Sequence, residues 1–208
     1  MSQPCNRNCE ISQPGELDPE LGEFWEGNPW KIFQKHNLSC YERDRVYLNV
    51  AGRNFLDISY LTGADSDGDG RAVVAADFNG DGRIDLALRQ AGGGPIRLFD
   101  NRFPQKNYLK VTLRGRQSNR LAVGARIEAH MGGRRLVREL YPANGHRSQA
   151  PLVVHLGLDD AAQVDRLTIR WPAGGLQELA SIPANQHIVV TEGSNKIEPL
   201  VPGSLTAP

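Results

Sequence analysis

The sequence predicts an all-β protein, and three observations carry that prediction. Glycine and proline are abundant, 22 and 13 in 208 residues, the composition of a chain that turns often. Runs with a helical apolar period are scarce, while short runs alternating apolar and polar residues recur from residue 45 onward. Between two such runs lies Asp77-Phe78-Asn79-Gly80-Asp81-Gly82-Arg83-Ile84-Asp85, with oxygen side chains at loop positions 1, 3, 5 and 9 and glycine at 6. Four oxygens in that register are more than a plain hairpin turn needs, and they suit a hard cation such as calcium. An EF-hand would need a glutamate at position 12, where Leu88 stands, so the loop is expected between strands and not between helices.

In chain order, residues 1–44 read as an irregular arm rich in Pro, Gly, Asn and acidic residues, with a short helix expected near 29–35. Phe24, Trp25, Trp30 and Phe33 are too many aromatics for a solvated tail and are expected to dock, on this chain's core or on a partner. The three cysteines, Cys5, Cys9 and Cys40, favour thiols or one local disulfide; a zinc site with His36 is the alternative.

Residues 45–104 form the next segment. Arg45 to Val50 and Phe55 to Ile58 alternate on either side of a turn and predict a hairpin. Asp65, Asp67 and Asp69 then repeat the oxygen register, but Val73 at position 9 cannot ligate. A flexible acidic turn is favoured there, with a second ion as the alternative. Strands are expected over residues 72–76 and 85–88, flanking the main loop, and over Ile96 to Phe99.

From Tyr108 the alternating runs lengthen, with apolar residues at Leu109, Val111 and Leu113 and at Val123, Ala125, Ile127 and Ala129. Further runs at 136–140, 152–156, 164–171, 176–179 and 188–190 bring the count to seven strands, a β-sandwich over residues 105–194. Residues 195–208, with three prolines, are expected as a loose tail.

The formal net charge of zero is unevenly spread. Six aspartates between Asp65 and Asp85 face only Arg71 and Arg83, while eleven Lys or Arg between Arg102 and Arg147 face only Glu128 and Glu139. The acidic block is expected to hold the metal. The basic block offers Lys110, Arg114, Arg116, Arg134, Arg135 and Arg138 as an anion-facing surface, for which a solvated face is the equal alternative. Nucleic acid is disfavoured, since no aromatics interleave the basic residues. No apolar run approaches the roughly 18 residues of a membrane span, and the first residues lack the regions of a signal peptide. Gly-x-Ser-x-Gly is absent and the five histidines have no metal-ligand spacing, so no enzyme is expected. His155 reads as a structural histidine, and His146 as a loop residue able to touch a partner.

Residues 70–86 resemble an FG-GAP or VCBS repeat, a blade of calcium-binding β-propellers. Ser118-Asn119-Arg120, Gly124-Ala125-Arg126, Ser148-Gln149, His155-Leu156-Gly157-Leu158, Val164-Asp165 and Ile169-Arg170-Trp171-Pro172-Ala173-Gly174 resemble the ASPIC/UnbV domain that follows such repeats in cartilage acidic protein and its bacterial relatives. The resemblance implies a partial β-propeller-type repeat packed on the sandwich, in an extracellular or surface-exposed binding protein without established enzymatic chemistry. Carried over to this chain, the calcium ligands are Asp77, Asn79, Asp81, Asp85 and the Arg83 carbonyl. One full repeat and a remnant around 45–60 cannot close a ring, so the fragment must pack on the sandwich, on the arm or on another protein.

Extracellular modules hold calcium at about 10⁻⁴–10⁻³ M, which at millimolar calcium adds only about 0.4–1.4 kcal/mol, a local clamp that favours an extracytoplasmic setting. The function expected is therefore a non-catalytic, calcium-binding subunit of a larger assembly, with other protein subunits as partners. The alternatives are a free-standing adhesin-like module for anionic glycan or another acidic surface, and an accessory protein to an enzyme.

Overall fold

The computed structural model describes residues 43–50, 52–66, 70–90, 95–145 and 148–200. The expectations for the arm over residues 1–42, its aromatics and cysteines, for His146 and for residues 201–208 lie outside the described residues. The chain divides into two compact units, residues 1–74 with 86–100 and residues 75–85 with 101–208. As expected, it is nearly all β.

In the first unit, β1 (Tyr47–Val50) and β2 (Asn54–Asp57) form the expected antiparallel hairpin, with Leu48 opposite Leu56 and Asn49 opposite Phe55. Its turn is held by Asn49 Oδ1, which accepts from the Gly52 amide at 2.7 Å, and Gly52 takes a φ of +72°. A single helical turn that the sequence reading missed, α1 (Ser59–Thr62), follows. Asp57 accepts from the Ser59 amide, and the buried Ser59 hydroxyl accepts from Val46 at 2.8 Å, so local side-chain bonds wind four residues that lack an apolar helical face. β3 (Gly70–Ala76), β4 (Asp85–Gln90) and β5 (Arg97–Phe99) form a three-stranded sheet in that order, with β3 ending and β4 beginning in residues of the second unit.

The second unit is the expected sandwich. One sheet is built from β6 (Asn107–Arg114), β11 (Val154–Asp159), β14 (Gln186–Thr191) and β15 (Ile197–Pro199), in the order β11-β6-β14-β15. The other comprises β7 (Arg126–Met131), β8 (Arg134–Glu139), β12 (Gln163–Arg170) and β13 (Leu176–Pro183), in the order β13-β12-β7-β8. Among the described residues of the sandwich, β6 and β14 pair in parallel and the other ladders are antiparallel. Leu109, Val111, Ile127, Leu156, Leu167, Ile169, Ile188 and Val190, fully buried, fill the space between the sheets. Each such side chain contributes about 1.5–3 kcal/mol of hydrophobic stabilisation.

Two strands depart from expectation, and a further pair is new. The tail is not loose at its start: Ile197 to Pro199 pair with Val190 to Ile188 as an eighth sandwich strand, too short and too proline-marked for alternation to reveal. A small pair, β9 (Ala143–Gly145) with β10 (Ser148–Gln149), also went unseen. The strand expected from Val123 begins at Arg126, because Asn119 brackets Val123 with both ends of its amide, at 2.8 and 2.9 Å, and turns the chain there. That bracket gives Asn119 of Ser118-Asn119-Arg120 a structural role, since its side chain closes a turn.

Candidate functional site

The acidic loop, residues 77–85, belongs to the same compact unit as the sandwich. Its backbone is wound by its own side chains. Asp77 accepts from the Gly80 amide at 2.7 Å and the Gly82 amide at 2.9 Å, Asn79 Oδ1 from Asp81 at 2.9 Å, and Asp81 Oδ1 from Arg83 at 2.8 Å. Gly80 and Gly82 take φ of +81° and +89°, the left-handed conformations this winding demands. Asp85, 4% exposed, accepts from Phe78 at 3.0 Å, which ties the end of the loop to its start, and its other oxygen accepts from Asn101 at 2.8 Å.

β6 explains what the loop rests on. Its core-facing residues are Leu109, Val111 and Leu113, so Tyr108, Lys110 and Thr112 face outward. In register with Lys110 stand His155 on β11 and His187 on β14, a polar row across three strands. Lys110 Nζ lies 2.7 Å from Asp77 Oδ2, with the side chains 16% and 3% exposed. The His155 ring stacks on Tyr108 at 5.8 Å, with Gly157 opposite Tyr108, and its Nε2 lies 2.7 Å from the Gly82 carbonyl. A carbonyl only accepts, so Nε2 carries the proton. A Cβ on Gly82 would land inside the Tyr108 ring, so glycine is required there for space as well as for φ.

A calcium ion would meet two cations in this arrangement. Among the described residues no three His, Cys, Asp or Glu side chains come together to hold an ion. Asp77 is paired with Lys110, and Asp81 with the Arg83 guanidinium, which holds its carboxyl below the usual range. Arg83, expected to lend its carbonyl, thus brings a cation of its own. A divalent ion on Asp77 within roughly 5 Å of the ammonium would be repelled by about 7 kcal/mol at an effective dielectric of about 20. Binding at 10⁻⁴–10⁻³ M is worth only about 4–5.5 kcal/mol. With Lys110 in place, the residues do not fit a calcium ion.

The other candidate residues are scattered. Asp65 pairs with Arg43 at 3.0 Å, and Asp67 and Asp69 lie outside the described residues. The basic side chains do not share one face: Lys110 and Arg114 are on β6, Arg116 is past its end, and Arg134, Arg135 and Arg138 are on β8 of the other sheet. Arg135 pairs with Glu128 at 3.0 Å, Arg134 lies 3.6 Å from Asp159, and Arg114 lies 3.9 Å from Glu198.

Comparison with family models finds an FG-GAP-like repeat over residues 37–88 and the ASPIC and UnbV model over residues 115–197. The chain carries an FG-GAP-like repeat followed by an ASPIC/UnbV domain. No curated protein matches it. The acidic loop is the loop of that FG-GAP-like repeat, and His155 and His187 both lie within the matched UnbV segment.

Lys110, Arg138, His155, His187 and Asp77 line a cleft of about 430 Å³, together with Tyr141, Pro151 and Val153. Sequence reasoning missed Tyr108 and His187 as neighbours of the loop. The available signal was their register, every second residue from Lys110 on β6 and the parallel partner on β14, visible only once pairing is known. Burial lowers both histidines below their ordinary value of 6.5, and the Lys110 charge lowers them further. A His whose folded pKa lies below its unfolded one binds its proton more readily when unfolded. Its contribution is therefore complete above about pH 6.5 and is lost as pH falls towards the folded pKa. The melting temperature of the sandwich unit is expected to fall as pH drops below about 6.5, with a shallower slope in the His155→Gln, His187→Gln double variant. Thermal melts across that range check it; an unchanged slope in the variant removes the histidines as the cause.

Proposed function

We propose that this chain is a non-catalytic binding or structural subunit that presents its FG-GAP-like repeat to another protein subunit. The observation that carries the reading is the β1–β2 hairpin, in which every residue of both strands is exposed. Tyr47 and Phe55 point to one face and Leu48, Val50 and Leu56 to the other, so apolar side chains reach solvent on both sides. A two-stranded hairpin is marginal in water by itself, and a repeat unit needs a neighbour to bury its faces. Nearby Tyr60 and Leu61 are 85% and 82% exposed, which enlarges the apolar surface. FG-GAP repeats are typically extracellular, which supports an extracytoplasmic setting. No helix among the described residues is long and apolar enough to cross a membrane. The two families are not known as enzyme families, which supports a non-catalytic role. Calcium forms no part of the reading, because Lys110 and Arg83 already face the loop's carboxylates.

Sedimentation of the protein as purified, with any chain that accompanies it, tests the proposal. The wild type is expected to run as an assembly and Phe55→Asp as a monomer. Hydrogen exchange on the monomer should find the β1–β2 amides open and the sandwich amides protected. A wild-type monomer whose hairpin amides are as protected as the sandwich overturns the reading.

A further inference from the structure

We propose that the cation of the acidic loop is Lys110: the ammonium of a sandwich strand occupies the electrostatic place that a metal ion would take, and the loop folds without calcium. Three observations on separate elements converge on this. The Lys110 ammonium reaches Asp77, the first acidic residue of the loop, at 2.7 Å, and both side chains are largely shielded from water. It is delivered by the central region of a sheet, flanked by His155 and His187 in register on the adjacent strands, and lies 5.5 Å over the Tyr108 ring. The strand fixes where the lysine stem starts, and its side chain is 16% exposed. The loop itself is complete: Asp77, Asn79, Asp81 and Asp85 each accept backbone amides that hold its winding.

An ammonium and a calcium ion balance the same carboxylate, but they differ in what they make the loop respond to. A metal would couple its shape to the ion's concentration, whereas a lysine couples it to the sandwich. The acidic loop becomes a permanent strut of the UnbV unit, closed by Lys110 on Asp77 and by His155 on the Gly82 carbonyl. In a compartment where calcium fluctuates, this loop keeps one conformation.

The experiment compares melts and calorimetric titrations of the wild type and Lys110→Met with calcium chloride and with chelator. The wild type is expected to give no binding heat and the same melting temperature in both. Lys110→Met keeps the stem but leaves Asp77 uncompensated, so it should melt several degrees lower in chelator and regain part of the loss in millimolar calcium. Calcium-dependent heat or stabilisation in the wild type overturns the proposal, and it does so even if the variant fails to fold. A variant as stable as the wild type, or one that calcium does not rescue, also overturns it. Neither result touches the hairpin, so this test and the assembly test fail separately.

Discussion

Asp77→Ala is expected to destabilise the sandwich unit by about 3–5 kcal/mol, the cost of breaking a buried ion pair from one side. The loss has three parts. The Lys110 ammonium, 16% exposed, keeps its charge without its partner, and the Gly80 and Gly82 amides lose the acceptor that wound the loop. Each amide left without a partner costs about 1–3 kcal/mol where water cannot replace the carboxylate. Urea denaturation followed by circular dichroism measures the change. Lys110→Met in the Asp77→Ala background should recover part of the loss, because the stranded charge is gone, and the double-mutant cycle isolates the pair. A drop below about 1 kcal/mol for Asp77→Ala would class the pair with exposed salt bridges.

The same residues show what was legible in sequence. The oxygen register at 77, 79, 81 and 85 and the glycine at 82 mark a wound acidic loop between strands, and the structure has that loop, with Asx turns at Asn79 and Asp81 and Asp77 accepting from Gly80 and Gly82. The loop's cation was not legible. Lys110 lies 33 residues from Asp77, and only the register of β6 turns it outward to the loop. In sequence it read as one of six basic residues of an anion-facing surface; in the fold it is the partner of the acid. Alternation located the seven longer sandwich strands, most plainly β6, β7 and β11, which bury every second residue. It missed β15, whose three residues are held by the ladder to β14 and not by a buried stripe. Helix α1 was equally hidden, since its cause is a set of polar bonds around Ser59 and Asp57.

Trp171→Ala is expected to cost about 3–5 kcal/mol, the range for removing a large buried aromatic. The family signature Trp171-Pro172-Ala173-Gly174 becomes a structural one at this residue. Its ring is 2% exposed at the end of β12. The turn behind it is closed by Trp171 N donating to Gly175 O at 2.8 Å, with Gly174 at a φ of +99°. The indole Nε1 donates to Gln177 Oε1 at 3.0 Å, and that oxygen also accepts from Gly193 at 3.0 Å while Gln177 Nε2 reaches Ser194 O at 2.7 Å. Gln177 starts from β13 of one sheet, and Gly193 and Ser194 follow β14 of the other, so the tryptophan anchors a polar bridge between the two sheets. Trp171→Phe keeps most of the apolar bulk and removes only the donor, and it should cost less than alanine, about 1–2 kcal/mol. Denaturant midpoints for the two variants separate packing from the hydrogen bond. Equal losses would mean that the bridge through Gln177, and not the buried ring, fastens this end of the sandwich.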